Sequence, residues 1–570
     1  MRPYKAILRR ISLYHLVRLL NGADILALEL KEHGVSWIST LCGNGLNPFY
    51  LACKKAGIRL IDTHNEQAAA YMADAYGRLT GTIGVCAVSS GVAHSNALTG
   101  VANAYFDGGP MLLITGASAG YGSGRGVFQE YDQVALAAPI CKFARCVYRI
   151  GDLRFLIREA LRIAMSGRPG PVHLTIPLEI MESEYEEYEL KSAKPLSSVI
   201  ALQRRQSPSL DPKIISEAAR MIIEAEKPII VAGSGVFYSG GQKPLMLLSE
   251  AGAIPVVIPI WDRGCIERSH PNFLGVIGAA SGEPRLLEDA DLIIMVGARV
   301  DYRVGFLKPP KVREDASIMR IDMDPSSLMQ GVSSDLAILA SPDMALNKIA
   351  EELKSKGIHK HRKWLNDARE RWRRFRARWV EREPPESTLT GWHIVKAIRP
   401  ILTEDTIFLI DGGNIGQWAH MILADHYPSR WLTCGASAVV GWGLPGAMAA
   451  RLAYPKNPVL LLSGDGAFGF TLADLESAVR HNLPFVAVIA NDSAWGIVAS
   501  SQRSQYGEKG MISSRFGTIR FDSVAEALGA RGVRINDVRE LRSTIEDGFS
   551  SETPMVIDVP VSILSPTDVK

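Results

Sequence analysis

The feature that most constrains this chain is a strand–turn–helix–strand pattern from Pro458 to Trp495, PVLLLSGDGAFGFTLADLESAVRHNLPFVAVIANDSAW. Val459 to Leu462 has the length and branching of a buried strand and stops abruptly at Ser463-Gly464-Asp465-Gly466. A helix-period segment follows, with Leu472, Leu475, Ala478 and Val479 on one face. A second apolar strand, Phe485 to Ala490, ends at Asn491-Asp492. In a parallel βαβ unit both strands finish at the same edge of the sheet, where ligands bind. Asp465 and Asp492 should therefore face one space. A lone GDG reads as a solvent-facing turn. Two carboxylates beside glycines that admit a ligand to the backbone instead suit a hard divalent cation bridging to a phosphate.

With 570 residues the chain is too long for one core, and three domains of ordinary size are expected. Apolar residues make up 47% and charged residues 22%, a globular composition. A formal charge of +3 gives no reason to invoke nucleic acid or a membrane surface. Cysteines stand at 42, 53, 86, 141, 146, 265 and 434 without a CxxC pair, so a reduced cytoplasmic protein with no zinc site is expected. No run approaches the roughly 18 apolar residues of a membrane helix. The basic stretch at residues 1–20 lacks the apolar region and cleavage site of a secretory signal.

Strand and helix signals alternate over 22–190, over 213–350 and again over 387–562, which predicts three doubly wound α/β domains with parallel sheets. A polar, aperiodic segment over 191–212 reads as a linker. Residues 354–386 carry Arg371-Trp372-Arg373-Arg374-Phe375-Arg376, but interleaved acidic residues fit a solvated linking helix rather than a nucleic-acid surface. The first and third domains share a plan: Ser90-Gly91, a helix and Gly109-Pro110 repeat the layout from Gly464 to Pro484.

GDG at 464–466 followed by Asn491-Asp492 resembles the thiamine diphosphate signature GDG…NN. Over nearly its whole length the chain is similar to the family containing acetolactate synthase, benzaldehyde lyase and 2-hydroxyacyl-CoA lyase. The usual second Asn is Asp492 here, adding negative charge that a cation must offset. The resemblance implies pyrimidine-binding, central and diphosphate-binding domains in that order, with thiamine diphosphate and Mg²⁺ as cofactors. It places the metal on Asp465, Asp492 and the backbone carbonyl of Ala494. Gly464, Gly466 and Ala467 fall in the same turn, and Trp495 and Gly496 are expected to offer backbone N–H groups to phosphate at a helix start. Gly413, Asn414 and Ile415, in DGGNIG after the strand Thr406 to Ile410, match the loop that grips the diphosphate. GASAVVGWGLP resembles GxGxMGxGLP, which puts Ala438 in the cofactor site and maps the wedge that bends the cofactor to Val440, smaller than the usual Met or Leu.

Glu66 opens an alanine-rich helix, a position where a Glu alone reads as a cap or dipole partner. Its surroundings, EQAAAYMADAYGRLTG, resemble HEQAA…A.GYAR…G. The resemblance makes Glu66 the acid that hydrogen-bonds the aminopyrimidine and assists proton removal at the thiazolium C2. Asn65 stands in the place of the family's His, and His64 reads as structural. Gln129, in GVFQEYD, matches the AFQExD segment and is expected to hydrogen-bond the substrate or its adduct. Gly91-Val92-Ala93-His94-Ser95-Asn96 replaces GPGxTN, so His94 is either a substrate contact or a buried histidine satisfied by its neighbours. Cys42-Gly43-Asn44-Gly45 matches the first substrate loop, so Asn44 is expected to point a donor inward.

The activity implied is a carbon–carbon lyase or carboligase acting on 2-oxo acids or 2-hydroxyacyl compounds, with acetolactate synthesis as one form and 2-hydroxyacyl-CoA cleavage as the other. DYRVGF at Asp301 looks like the second branch, whereas the short tail VSILSPTDVK argues against a lid over a CoA arm. Arg299 and Arg303 are placed to meet a nucleotide phosphate, but the same region of acetolactate synthases binds FAD, which nothing else here supports. An NAD enzyme built on Gly233-Ser234-Gly235 lacks the full GxGxxG. A non-catalytic protein of this fold is opposed by the intact set Glu66, Gln129, Asp465 and Asp492. The partners expected are a small 2-oxo acid, aldehyde or acyl-CoA, with no nucleic acid and no membrane. A homodimer or homotetramer is expected, because in the family the acid and the diphosphate site meet across a subunit interface.

Overall fold

The computed structural model describes residues 19–118, 120–122, 124–186, 210–262, 264–357, 360–384, 389–424 and 431–569. The basic stretch at 1–20 and the linker over 191–212 lie almost wholly outside them. The described residues form three parallel six-stranded sheets. In the first, strands Trp37–Leu41, Arg59–Asp62, Gly84–Val88, Met111–Ala117, Phe143–Cys146 and Pro171–Pro177 lie in the spatial order second, first, third, fourth, sixth, fifth. The third sheet repeats that order with Ile407–Asp411 (β1), Trp431–Thr433, Val459–Gly464 (β2), Val486–Asn491 (β3), Arg531–Arg534 and Met555–Pro560. The repeated plan expected for the outer domains is therefore a repeated topology. The central sheet, from Pro228–Ala232 to Leu336–Leu339, runs third, second, first, fourth, fifth, sixth. A short antiparallel pairing of Leu19–Asn21 with Glu184–Glu186 closes the first domain, which thus begins ahead of residue 22.

Burial on both faces explains the apolar strand runs: Val459, Leu460, Leu461 and Leu462 are all fully buried. β1 and β2 are adjacent and in register, Asp411 beside Ser463, although their crossovers lead in opposite directions. That makes their carboxyl ends a topological switch point, the position at which open α/β sheets bind ligands.

Two helices of the first domain matter below: α1 (Glu66–Thr80) and α2 (Val92–Asp107). The basic–aromatic stretch forms α3 (Arg362–Val380), which buries Trp364, Leu365, Ala368, Trp372 and Trp379 and exposes Arg373 and Arg374. It is the linking helix that the interleaved charges predicted. In the third domain lie α4 (Gly413–Ile422), α5 (Gly443–Ala453), α6 (Asp465–Phe470) and α7 (Gly496–Tyr506). The helix expected after GDG is split in two, α6 and a second piece at Asp474–Arg480. At the break the Thr471 hydroxyl leaves the helical pattern and donates to the Gly441 carbonyl at 2.8 Å. All seven cysteines are free, and among the described residues no helix is long and apolar enough to cross a membrane.

Candidate active site

Helix starts α4, α6 and α7 follow the carboxyl ends of β1, β2 and β3 and surround a cavity of about 490 Å³, a volume suited to a cofactor. Its lining includes Gly413, Asn414, Ile415, Ala438, Val440, Gly464, Asp465, Gly466, Ala467, Asp492, Ala494, Trp495 and Gly496, the residues expected in the third domain's cofactor loops and metal site. The topology brings them together: three strand ends at one edge, each followed by a helix whose free N–H groups favour an anion.

Asp465 is 4% exposed and begins α6. Asp492 follows β3 and accepts a hydrogen bond at Oδ2 from Asn414 Nδ2, at 3.1 Å. Burial first, and then the charge of Asp492, raise the Asp465 carboxyl above the ordinary carboxylate range. Burial raises Asp492 as well, against the bond from Asn414. Oδ1 of Asp492 and Oδ1 of Asn414 are buried with no partner among the described residues. The described cavity lining holds neither Lys nor Arg. Paired carboxylates, an orphaned amide oxygen and the absence of Lys and Arg fit a magnesium ion that carries its own charge to a diphosphate.

The neighbouring backbone corrects one expectation. The Trp495 N–H, expected to face phosphate, donates instead to the Ser514 carbonyl at 2.8 Å, and Phe516 N–H donates to Ser493 at 2.7 Å. This short antiparallel bridge takes the Trp495 amide out of reach but uses no carbonyl of Ala494. Gly496 is required where it stands, since a Cβ there would lie 2.1 Å from Asp492 Oδ2.

Asp411, in the DGGN loop, turns inward: its Oδ2 accepts the Gly443 N–H at 2.7 Å, and burial pushes its carboxyl up to about 6. It ties the end of β1 to the start of α5, leaving Gly412 to Gln417 on the cavity wall. Ala438 holds a left-handed φ of +54°, and the Val440 carbonyl accepts from the Tyr71 hydroxyl at 3.5 Å. Sequence reading missed the far wall, where Ile260, Trp261 and Tyr302 of the central domain enter the cavity; Trp261 has φ +74°. No local pattern marks these residues, because domain packing puts them there.

Glu66 and Gln129 do not line this cavity in their own chain. Asn65 caps α1, its side chain accepting the Gln67 N–H at 2.8 Å, so Glu66 is not needed as the cap. Glu66 is half-buried, and its Oε2 accepts from Asn96 Nδ2 of α2 at 3.0 Å. His64 joins the first domain to the third, pairing with Glu476 at 2.9 Å while its N–H donates to Asp474 at 2.7 Å. Gln129 has φ +55° and accepts from the Ser90 hydroxyl at 3.3 Å. Asn44 is exposed.

His94 is no open substrate contact in this chain and is buried, as the second alternative had it, with its ring centroid 4.7 Å from that of His173. Burial pushes it down to about 4, a shift that the Gln133 backbone opposes without an aligned bond to either ring nitrogen. It is a neutral packing group, neither open to substrate nor satisfied by its neighbours. Arg303 is likewise committed. It is 1% exposed, and its guanidinium bonds Asp301, Asp262 at 3.1 Å and the Ile260 carbonyl at 2.7 Å, so it cannot meet a nucleotide phosphate.

Sequence comparisons agree with this layout. Models described as thiamine pyrophosphate enzyme match the chain as N-terminal TPP binding domain over residues 20–136, central domain over 215–349 and C-terminal TPP binding domain over 411–559. A probable acetolactate synthase large subunit of Methanococcus aeolicus is 29% identical over 563 residues, covering 95% of this chain and 92% of that protein. A protein named 2-hydroxyacyl-CoA lyase 2, from Bos taurus, is 28% identical over 561 residues, covering 91% and 86%. The acetolactate synthase large subunit IlvG of Mycobacterium tuberculosis is 28% identical over 551 residues, covering 95% of each.

Proposed function

Because the chain belongs to the thiamine pyrophosphate enzyme family, we propose that it makes or breaks carbon–carbon bonds next to a carbonyl, acting on 2-oxo acids in the manner of an acetolactate synthase. The observation that carries this reading is the cavity at the ends of β1, β2 and β3, where Asp465 and Asp492 face one another with neither Lys nor Arg in the described lining. Thiamine diphosphate, when bound, supplies a nucleophilic carbon and a sink for the electron pair released at the substrate carbonyl.

The residues of this chain then have distinct tasks. Asp465, Asp492 and the Ala494 carbonyl hold Mg²⁺, and Asn414 orients Asp492 through its amide. The N–H groups at the starts of α4 and α6 receive the diphosphate. Ile415, Ala467 and Val440 exclude water along the wall, and Val440 would pack against thiamine diphosphate when it is bound. Glu66, held by Asn96, keeps or gives up a proton at its carboxylate oxygen, and Gln129 orients the substrate through its amide. Since Glu66 does not line the cavity of its own chain, it serves the cavity of a second copy, and the active unit is a homodimer or a dimer of dimers. A fully active monomer in sedimentation would refute that assembly. The scattered free cysteines support a reducing, cytoplasmic location.

A second reading, cleavage of 2-hydroxyacyl-CoA, is supported by relatives of that name. The engagement of Arg303 with Asp301 and Asp262 removes one basic group available to a CoA phosphate and favours 2-oxo acids. Parallel incubation of the Mg²⁺- and thiamine diphosphate-loaded protein with pyruvate, glyoxylate and a 2-hydroxyacyl-CoA decides between them. Acetolactate formation from pyruvate is expected. Cleavage of the acyl-CoA alone would transfer the assignment to the second reading.

A further inference from the structure

The loop that carries Ala438 and Val440 into the cavity is held by the first domain of the same chain. Asp107, the last residue of α2, accepts the Ala436 N–H at Oδ1, at 3.1 Å. Its Oδ2 lies where a Cβ at Gly435 would be only 1.8 Å away, and Gly435 has φ +101°. One turn earlier, Asn103 accepts the Ser437 hydroxyl at Oδ1 and donates from Nδ2 to Asp74 of α1 at 2.7 Å. The same Asp74 oxygen accepts the Trp442 indole N–H at 2.9 Å. Arg78 of α1 donates to the Cys434 carbonyl at 3.5 Å and stands 3.8 Å from Asp107. Asp74, Arg78, Asn103 and Asp107 are all buried.

The end of α2 is itself fixed from the other side. Arg168 donates to the Tyr105 and Phe106 carbonyls at 3.1 and 2.8 Å. Arg299, from the central domain, donates to the Phe106 carbonyl at 3.0 Å. Three domains thus meet at one helical turn, and that turn touches the cofactor loop. Ala438 holds a left-handed backbone that a non-glycine residue adopts only when its surroundings impose it.

We propose that Asp107 and Asn103 are positioning residues for the cofactor: they set the backbone path of Gly435 to Ala438 and so place Ala438 and Val440 on the cavity wall. The inference rests on the assignment of that cavity to thiamine diphosphate. A purely structural role would join the domains without affecting the cofactor, so the test must separate affinity from stability.

Full-length protein freed of cofactor by chelation is titrated with thiamine diphosphate at fixed Mg²⁺, and binding is read by calorimetry and by tryptophan fluorescence. Asp107→Ala should raise Kd at least about tenfold, through the loss of the buried hydrogen bond to Ala436 and of the charge facing Arg78, while kcat at saturating cofactor stays within about threefold. Asp107→Asn keeps an oxygen for the Ala436 N–H and should stay within about threefold of the parent Kd. Ser437→Ala, which removes only the bond to Asn103, should fall between them and serves if Asp107→Ala does not fold. Glu29→Ala breaks the buried cluster with Arg154 and Arg158 far from the loop; it should lower the melting temperature and leave Kd unchanged.

Parent-like affinity in both Asp107→Ala and Ser437→Ala overturns the proposal. So does equal loss in the Ala and Asn variants of Asp107, or an equal loss in Glu29→Ala. A parent that binds no thiamine diphosphate overturns the cofactor assignment itself, which is a separate and recognisable result.

Discussion

Replacing Asp465 with Asn should stabilise the metal-free chain and destabilise the loaded one. Without a cation, Asp465 is 4% exposed and faces Asp492; burial and that charge push its carboxyl from 3.8 up to about 7. Each unit is worth about 1.4 kcal/mol. Because the two groups share their protons, one substitution recovers on the order of 2–4 kcal/mol. The native chain binds more protons here than the unfolded chain, so the cost is complete above about pH 7 and shrinks as pH falls toward 3.8. Asn keeps the shape and removes the charge. In chelator at pH 8, Asp465→Asn should melt about 5 °C or more above the parent, at roughly 2–4 °C per kcal/mol for a domain of this size. The gap should narrow steadily toward pH 5. With Mg²⁺ and thiamine diphosphate at about a thousand times the parent Kd, only the parent gains, by about 4.1 kcal/mol, and the order reverses. Differential scanning calorimetry of both proteins, with and without ligands, reads the crossover. The reasoning fails if the variant melts at or below the parent in chelator at pH 8, or if the ligands raise both proteins equally.

Glu66→Gln keeps an oxygen for the Asn96 amide but cannot exchange a proton, so C2 deuterium exchange of bound cofactor, followed by NMR, should slow at least about a hundredfold with only a modest change in affinity. Exchange at the parent rate would remove Glu66 from the mechanism. Gly496→Ala puts a Cβ 2.1 Å from Asp492 Oδ2 and 3.0 Å from Asn414 Nδ2; Mg²⁺-dependent cofactor affinity should fall about 10–100-fold with circular dichroism unchanged, and parent-like affinity would place the metal elsewhere. Arg303→Met leaves Asp262 and Asp301 without their guanidinium and should cost about 3–5 kcal/mol in thermal unfolding; an unchanged melting temperature would mean those carboxylates find other partners.

The sequence by itself determined the sheet class, the three-domain order and the meeting of Asp465 with Asp492. These follow from local rules. A doubly buried strand needs a continuous apolar run, and parallel strands end at one edge whatever else the fold does. The family resemblance of DGGNIG and GASAVVGWGLP placed Gly413 to Ile415 and Ala438 to Val440 on the cavity, and each lies just beyond a strand end or before a helix start. Tertiary structure alone decided which groups there remain free. Ser514 takes the Trp495 amide, Asp301 and Asp262 take Arg303, and His173 packs against His94, each pairing set by packing rather than by periodicity. The central-domain wall at Trp261 and Tyr302 belongs to the same class, as does the hold of Asp107 on Ala436, across 329 positions of chain. Burial periodicity repeats within a turn or a strand and can be read locally. A hydrogen bond between domains depends on how two finished surfaces dock, and no short stretch of either surface contains that information.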